Sequence, residues 1–239
     1  KSFNSIQPNH PAINEITIEL ANGLYNAAKI YGKAKDYPKM EKALSELRNL
    51  HNNFPAINEI TIELAKGLVN ATSEYGKAKY YPKMESTLSE LCNLHNNFPA
   101  INEITIILAS GLFNATNHYG EAKDYPKMEL ALSELRNLHN NFPAINEITI
   151  ELGNALFNAT VYYGIAKYYP KMELALSELR NLHNNFPTIN EIMIALAKGL
   201  VNATVYYGIA KYYPKMEEAL SELRNLHNNF PAINEITIA

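Results

Sequence analysis

The chain has 239 residues, is 47% hydrophobic and 19% charged, and carries a formal net charge of -3 with a pI near 6.2. This composition excludes a disordered or collagen-like chain, and its mild acidity argues against nucleic acid, whose binders carry a basic stripe that displaces counterions from phosphates. The single Cys92 excludes an intramolecular disulfide, and no uninterrupted apolar run approaches the roughly 18 residues of a membrane span.

The sequence repeats itself. The proline of an N-F-P triplet recurs at Pro55, Pro99, Pro143, Pro187 and Pro231, with a degenerate forerunner at Pro11, in steps of 44 residues. Five full repeats follow, at residues 11–54, 55–98, 99–142, 143–186 and 187–230. Residues 1–10 read as the worn end of a preceding repeat, and 231–239 as the start of a sixth.

In the first repeat, Ile13, Ile16, Leu20, Leu24, Ala27 and Tyr31 are spaced three or four apart, which predicts one apolar face of a helix of about six turns, helix A. After the K-A-K-D-Y-P break, Met40, Ala43, Leu44, Leu47 and Leu50 predict a shorter helix B, with Pro38 in its first turn where a missing N–H costs nothing. Asn52 and Asn53 are suited to the left-handed conformation that ends a helix, and Pro55 to opening the next. Gly23, Gly67, Gly111 and Gly199 fall inside helix A, where glycine costs about 1 kcal/mol relative to alanine. A neighbouring helix pressed against the backbone would explain them, with Ala155 the conservative exception. Two short-looped helices cannot bury both apolar faces alone, so the expected fold is an all-α stack of antiparallel pairs.

The run Leu24, Tyr25, Asn26, Ala27, Ala28, then Tyr31, then Asp36, Tyr37, Pro38, Lys39, Met40 and Leu44, closely resembles the tetratricopeptide signature, and the match recurs in every repeat. The departures are ten extra residues per repeat, Lys35 in place of the turn glycine, and Met40, Met84, Met128, Met172 and Met216 where that family usually has alanine. The resemblance implies a right-handed superhelical solenoid whose helix A surface lines a concave groove for a peptide or protein.

The five copies differ most along one stripe of helix A, at Asn22, Tyr25, Lys29 and Lys33 in the first repeat, extended by Asp36. It is mixed in the second repeat (Lys66, Val69, Ser73, Lys77) and apolar in the fourth (Asn154, Phe157, Val161, Ile165) and fifth (Lys198, Val201, Val205, Ile209), where Tyr168 and Tyr212 extend it. A contiguous exposed apolar strip marks an interaction surface. Beside it recur Asn26, Asn70, Asn114, Asn158 and Asn202, which the resemblance assigns to holding a ligand backbone; a ladder between neighbouring helices is the alternative. Four of these begin N-A-T, an N-glycosylation pattern whose mid-helix placement argues against its use.

No catalytic site, cofactor, metal or small-molecule substrate is expected, because nearly every polar residue recurs once per repeat whereas catalytic groups form one-off constellations. His51, His95, His139, His183 and His227 lie a layer apart, too far to share a metal, and read as helix-end residues near the negative pole of the dipole. His118 and Cys92 have no partner pattern. The expected function is therefore a non-enzymatic interaction scaffold. The alternative is a structural subunit that self-assembles head to tail into a filament, through Phe3, Ile6, Leu220, Leu223, Leu226, Ile233, Ile236 and Ile238. Helical-repeat recognition of single-stranded RNA is disfavoured by the Val, Ile and Tyr of the last two repeats.

Overall fold

The computed structural model describes residues 11–229, and among them ten α-helices in regular pairs account for the secondary structure, without strands. The longer helices A are α1 (Pro11–Lys33), α3 (Asn58–Lys77), α5 (Asn102–Glu121), α7 (Asn146–Ile165) and α9 (Asn190–Ile209). The helices B are α2 (Tyr37–Asn53), α4 (Tyr81–Asn97), α6 (Tyr125–Asn141), α8 (Tyr169–Asn185) and α10 (Tyr213–Asn229). The chain divides into two compact bodies, one up to Ala115 and one from Thr116, so the boundary falls within α5.

In each body a helix A packs on its own helix B and on the neighbouring helix A, as α1 does on α2 and α3, and α7 on α8 and α9. Of the predicted helix B stripe, Met40, Ala43, Leu44 and Leu47 are buried, all at 6% exposure or less, and Leu50 is half-buried. Helix A buries its predicted stripe in the second repeat, at Ile60, Leu64, Leu68, Ala71 and Tyr75, together with a second line at Thr61, Ala65, Thr72 and Gly76. The second line meets helix B of the same repeat, where the Thr72 and Thr87 hydroxyls lie 3.0 Å apart. The first meets helix B of the preceding repeat: a Cβ on Gly67 would fall 2.8 Å from Leu44 Cδ2. Gly111 and Gly199 face Leu91 and Leu179 in the same way, so these glycines do admit a neighbouring helix.

The first helix departs from expectation. In α1 two residues of the predicted stripe face outward, Ile16 69% and Leu20 51% exposed, Ile13, Leu24, Ala27 and Tyr31 are half-buried, and the buried line is Thr17, Ala21 and Ala28. Among the described residues no helix B precedes α1, and nothing lies within 4 Å of a Cβ built on Gly23.

The turns also differ from the sequence reading. Asn52 and Asn53 remain helical, Phe54 ends α2 at φ -131° with its N–H on the Leu50 and His51 carbonyls, and helix A begins at Asn58 rather than at Pro55. The left-handed residue is Lys35, with Lys79, Lys123, Lys167 and Lys211 after it, at φ 59–62°. Lys35 N donates to Gly32 O at 2.9 Å and Asp36 N to Tyr31 O at 2.9 Å, a Schellman closure that uses lysine where glycine is the unstrained choice. Pro38 does fall in the first turn of α2.

Candidate interaction surface

The stripe singled out in the sequence is solvent-facing in the second body. Ile165, Val205 and Ile209 are 55%, 51% and 66% exposed, and Phe157, Val161 and Val201 are half-buried. Because α7 and α9 pack directly on one another, these six side chains stand on two adjoining helices. Their spacing of four residues keeps them on one face while the intervening leucines go inward.

How closely α7 and α9 approach is set by a feature the sequence reading passed over. Every repeat carries Tyr-Gly near the end of helix A, as Tyr119-Gly120 and Tyr163-Gly164. A Cβ on Gly120 would overlap the ring of Tyr162, and one on Gly164 the ring of Tyr206. Each glycine is thus the seat for a side chain of the following helix A. The invariance of this pair across the repeats was the available signal.

The asparagines are not equivalent. Asn26 is exposed, while Asn70 and Asn114 are half-buried. Asn158 Nδ2 donates to Asn117 Oδ1 at 2.7 Å, and Asn202 Nδ2 to Thr160 Oγ1 at 3.2 Å. At these two positions the side chain ties consecutive helices A together, which is the ladder alternative. All four N-A-T triplets lie inside helices, and Thr72, Thr116 and Thr160 are buried.

His51, His95, His139 and His183 occupy the last turn of helix B, but their setting opposes a charge. Burial pushes His51, His95, His139 and His183 below the usual imidazole range. Nδ1 of His51, His95 and His139 pairs with the hydroxyl of Thr61, Thr105 and Thr149, at 3.0, 3.3 and 3.1 Å. The rings of His51 and His139 stand edge-on to Phe98 and Phe186. They are neutral packing residues, not dipole-stabilised cations.

A second missed feature is a polar ladder along the helices B. Arg48 makes a two-pronged contact with Glu90, Nε to Oε1 at 2.7 Å and Nη2 to Oε2 at 2.8 Å, and reaches back to Glu41 at 3.2 Å. Glu41 also accepts from Tyr75 of the next helix A at 3.2 Å. The pattern recurs with Arg136, Glu178, Glu129 and Tyr163, and with Arg180, Glu222, Glu173 and Tyr207. Burial, reinforced by these carboxylates, raises the three tyrosines above the ordinary phenol range. The arginine slot is therefore part of the inter-repeat contact, and half-buried Cys92 occupies it in the second repeat.

Of the residues assigned to an end-to-end contact, Leu220 and Leu223 are half-buried and Leu226 is buried. Phe3, Ile6, Ile233, Ile236 and Ile238 lie outside the described residues. Among the described residues no three His, Cys, Asp or Glu side chains are grouped to hold a metal ion. By length and composition alone α9 is apolar enough to cross a membrane, and 50% of that window is buried against the rest of the chain. No protein-family model, curated protein or solved structure matches the chain.

Proposed function

We propose that the chain is a non-enzymatic protein–protein interaction scaffold of the tetratricopeptide-like kind, its helix pairs wound into a right-handed superhelical solenoid. A protein or peptide partner is held on the concave helix A surface. The observation that carries this reading is the exposure of Ile165, Val205 and Ile209 beside half-buried Phe157, Val161 and Val201 on two adjoining helices. A folded chain gains nothing by presenting three branched aliphatic side chains to water on one face of successive repeats, whereas a partner that covers them removes that area from water at about 25 cal/mol per Å².

The test is the triple variant Val161→Lys, Ile165→Lys and Val205→Lys. It is expected to abolish association with the partner while leaving helicity by circular dichroism nearly unchanged. A variant that unfolds shows instead that these positions belong to the core and ends the groove reading.

A second reading, head-to-tail self-association, is favoured by the outward Ile16 and Leu20 of α1, whose counterparts Ile60 and Leu64 are buried. Sedimentation across a wide concentration range separates the two readings: a monomer at high micromolar concentration supports the first, a growing polymer the second.

A further inference from the structure

We infer that the second body carries another docking surface, on its helices B, whose occupant is an acidic peptide segment bearing a bulky apolar side chain. An open cleft of about 770 Å³ lies between the first turns of α6 and α8, lined by Tyr125, Pro126, Leu130, Tyr163, Tyr168 and Lys171 among others. Leu130 is 67% and Tyr168 52% exposed, and the Tyr125 and Tyr168 rings meet edge to face at 5.6 Å, fixing one wall. This is a preformed apolar recess rather than a scatter of surface residues.

The repeats show that the apolar wall is specific to this region. The position of Leu130 reads Lys42, Ser86, Leu130, Leu174 and Glu218 along the chain. Leucine stands only at the third and fourth repeats, and Leu174 is itself 51% exposed. Neither leucine is needed to build helix B, since lysine, serine and glutamate serve elsewhere in the same position.

The charge around the cleft selects the occupant. Glu129 lies in its wall but is already engaged by Arg136 at 2.8 Å and by the Tyr163 hydroxyl, so it presents little free negative charge. Lys171 lines the cleft and is exposed, and its Nζ pairs with Glu129 Oε2 at 3.9 Å. The chain itself shows which group satisfies such a lysine. In the first repeat Asp36 precedes helix B, and its carboxylate takes the Lys39 amide at 3.2 Å and the Lys39 ammonium at 2.7 Å. In the fourth repeat Tyr168 replaces that aspartate, so Lys171 has the 3.9 Å contact to Glu129 in place of a 2.7 Å one, in a cleft with apolar walls. A segment whose carboxylate meets Lys171 while a leucine-sized side chain enters beside Leu130 satisfies both features.

The experiment titrates the isotope-labelled full chain with two synthetic peptides, acetyl-Glu-Asp-Leu-Leu-Asp-Glu-amide and the same peptide with lysine in place of the four acids, followed by amide chemical shifts. The acidic peptide is expected to saturate with shifts confined to the region of Leu130, Ser133 and Lys171, and to weaken in high salt. Leu130→Ser, which installs the residue of the second repeat at an exposed site, is expected to weaken it about ten-fold with an unchanged melting temperature. Ile165→Lys on helix A is expected to leave it unaltered, which keeps this surface distinguishable from the groove proposed above. Equal binding of the basic peptide, insensitivity to Leu130→Ser, or no saturable binding up to about 1 mM overturns the proposal.

Discussion

Helices α3 and α7 hold the same place in the second and fourth repeats and bury the same positions. Ile60, Thr61, Leu64, Leu68, Ala71, Thr72 and Tyr75 correspond to Ile148, Thr149, Leu152, Leu156, Ala159, Thr160 and Tyr163. Their remaining faces diverge. Where α3 has Lys66, Ser73 and Lys77, two of them ion-paired to Glu63 and Glu74 at 2.9 and 2.7 Å, α7 has Asn154, Val161 and Ile165. One scaffold thus carries two unlike surfaces, and apart from an exchange of small residues at Ala65/Gly153 and Gly67/Ala155 the difference lies in side chains that are not buried. Glu74 and Tyr162 are the instructive exception: they differ, yet both lie against the preceding helix, Glu74 Cγ at 3.1 Å from a Cβ on Gly32 and the Tyr162 ring over Gly120. Variation between repeats can mark a packing choice as well as a surface.

The largest expected effect comes from breaking that packing choice. Gly164→Ala places a methyl group within the Tyr206 ring and is expected to destabilise the chain by about 1–3 kcal/mol, read as a lower urea midpoint. Adding Tyr206→Ala should recover part of the loss, because the two residues are in contact. Gly23→Ala is the matched control. Among the described residues nothing lies within 4 Å of its Cβ, so better helix propensity is expected to stabilise by up to about 1 kcal/mol. If both substitutions shift the midpoint alike, the close approach of successive helices A is not what Gly164 serves.

Much of this was legible in the sequence, for a physical reason. Periodicity of three and four reports burial directly, so the helix B stripe and the inward line of helix A could be read from Met40, Leu44, Leu47, Leu64 and Leu68. Turn conformation was not legible in the same way. Asn52 and Asn53 have the chemistry of a left-handed cap but stay helical at the end of helix B, while at the end of helix A it is Lys35, in the slot of the turn glycine, that takes the left-handed conformation and closes on Tyr31 and Gly32. The helix A stripe was found by comparing repeats, whereas the cleft beside Leu130 was missed because its walls come from α6, α7 and the start of α8 together. The arginine ladder was missed since residues 42 positions apart, such as Arg48 and Glu90, become partners only once the repeats stack.

A second, smaller effect should follow acidification. The four depressed histidines are neutral in the fold, whereas in the unfolded chain each binds a proton below about pH 6.5. The unfolded state then holds more protons, so their contribution is intact above pH 6.5 and is lost as pH falls through that value toward the folded-state pKa values. Urea midpoints at pH 7.5 and 5.5 should show the loss. Replacing His51, His95, His139 and His183 with glutamine should flatten the dependence across this window. The lowered carboxyls of Glu129 and Glu173, where burial opposes but the tyrosine and arginine hydrogen bonds prevail, act only in more acidic solution. A pH profile that stays steep in the glutamine variant would assign the transition to other groups.

The smallest effect concerns the turn between helices A and B, where the repeats differ in the residue that follows the left-handed lysine. Asp36 and Asp124 cap helix B with their carboxylates, each accepting an amide at 3.2 Å, while Tyr80 and Tyr168 make no such bond. The backbone is nevertheless the same, since Lys35, Lys79, Lys123 and Lys167 all lie at φ 59–62°. The Schellman closure therefore fixes the turn, and the aspartate caps are additions to it. Lysine in this conformation costs about 1 kcal/mol that glycine does not, partly offset by the greater freedom of glycine in the unfolded chain. Lys35→Gly and Lys167→Gly are accordingly each expected to raise stability by about 0.5 kcal/mol. Asp36→Ala should lower it by about 1 kcal/mol through loss of the cap. If Lys167→Gly stabilises and Lys35→Gly does not, the aspartate, rather than the closure common to all the turns, holds the first turn in place.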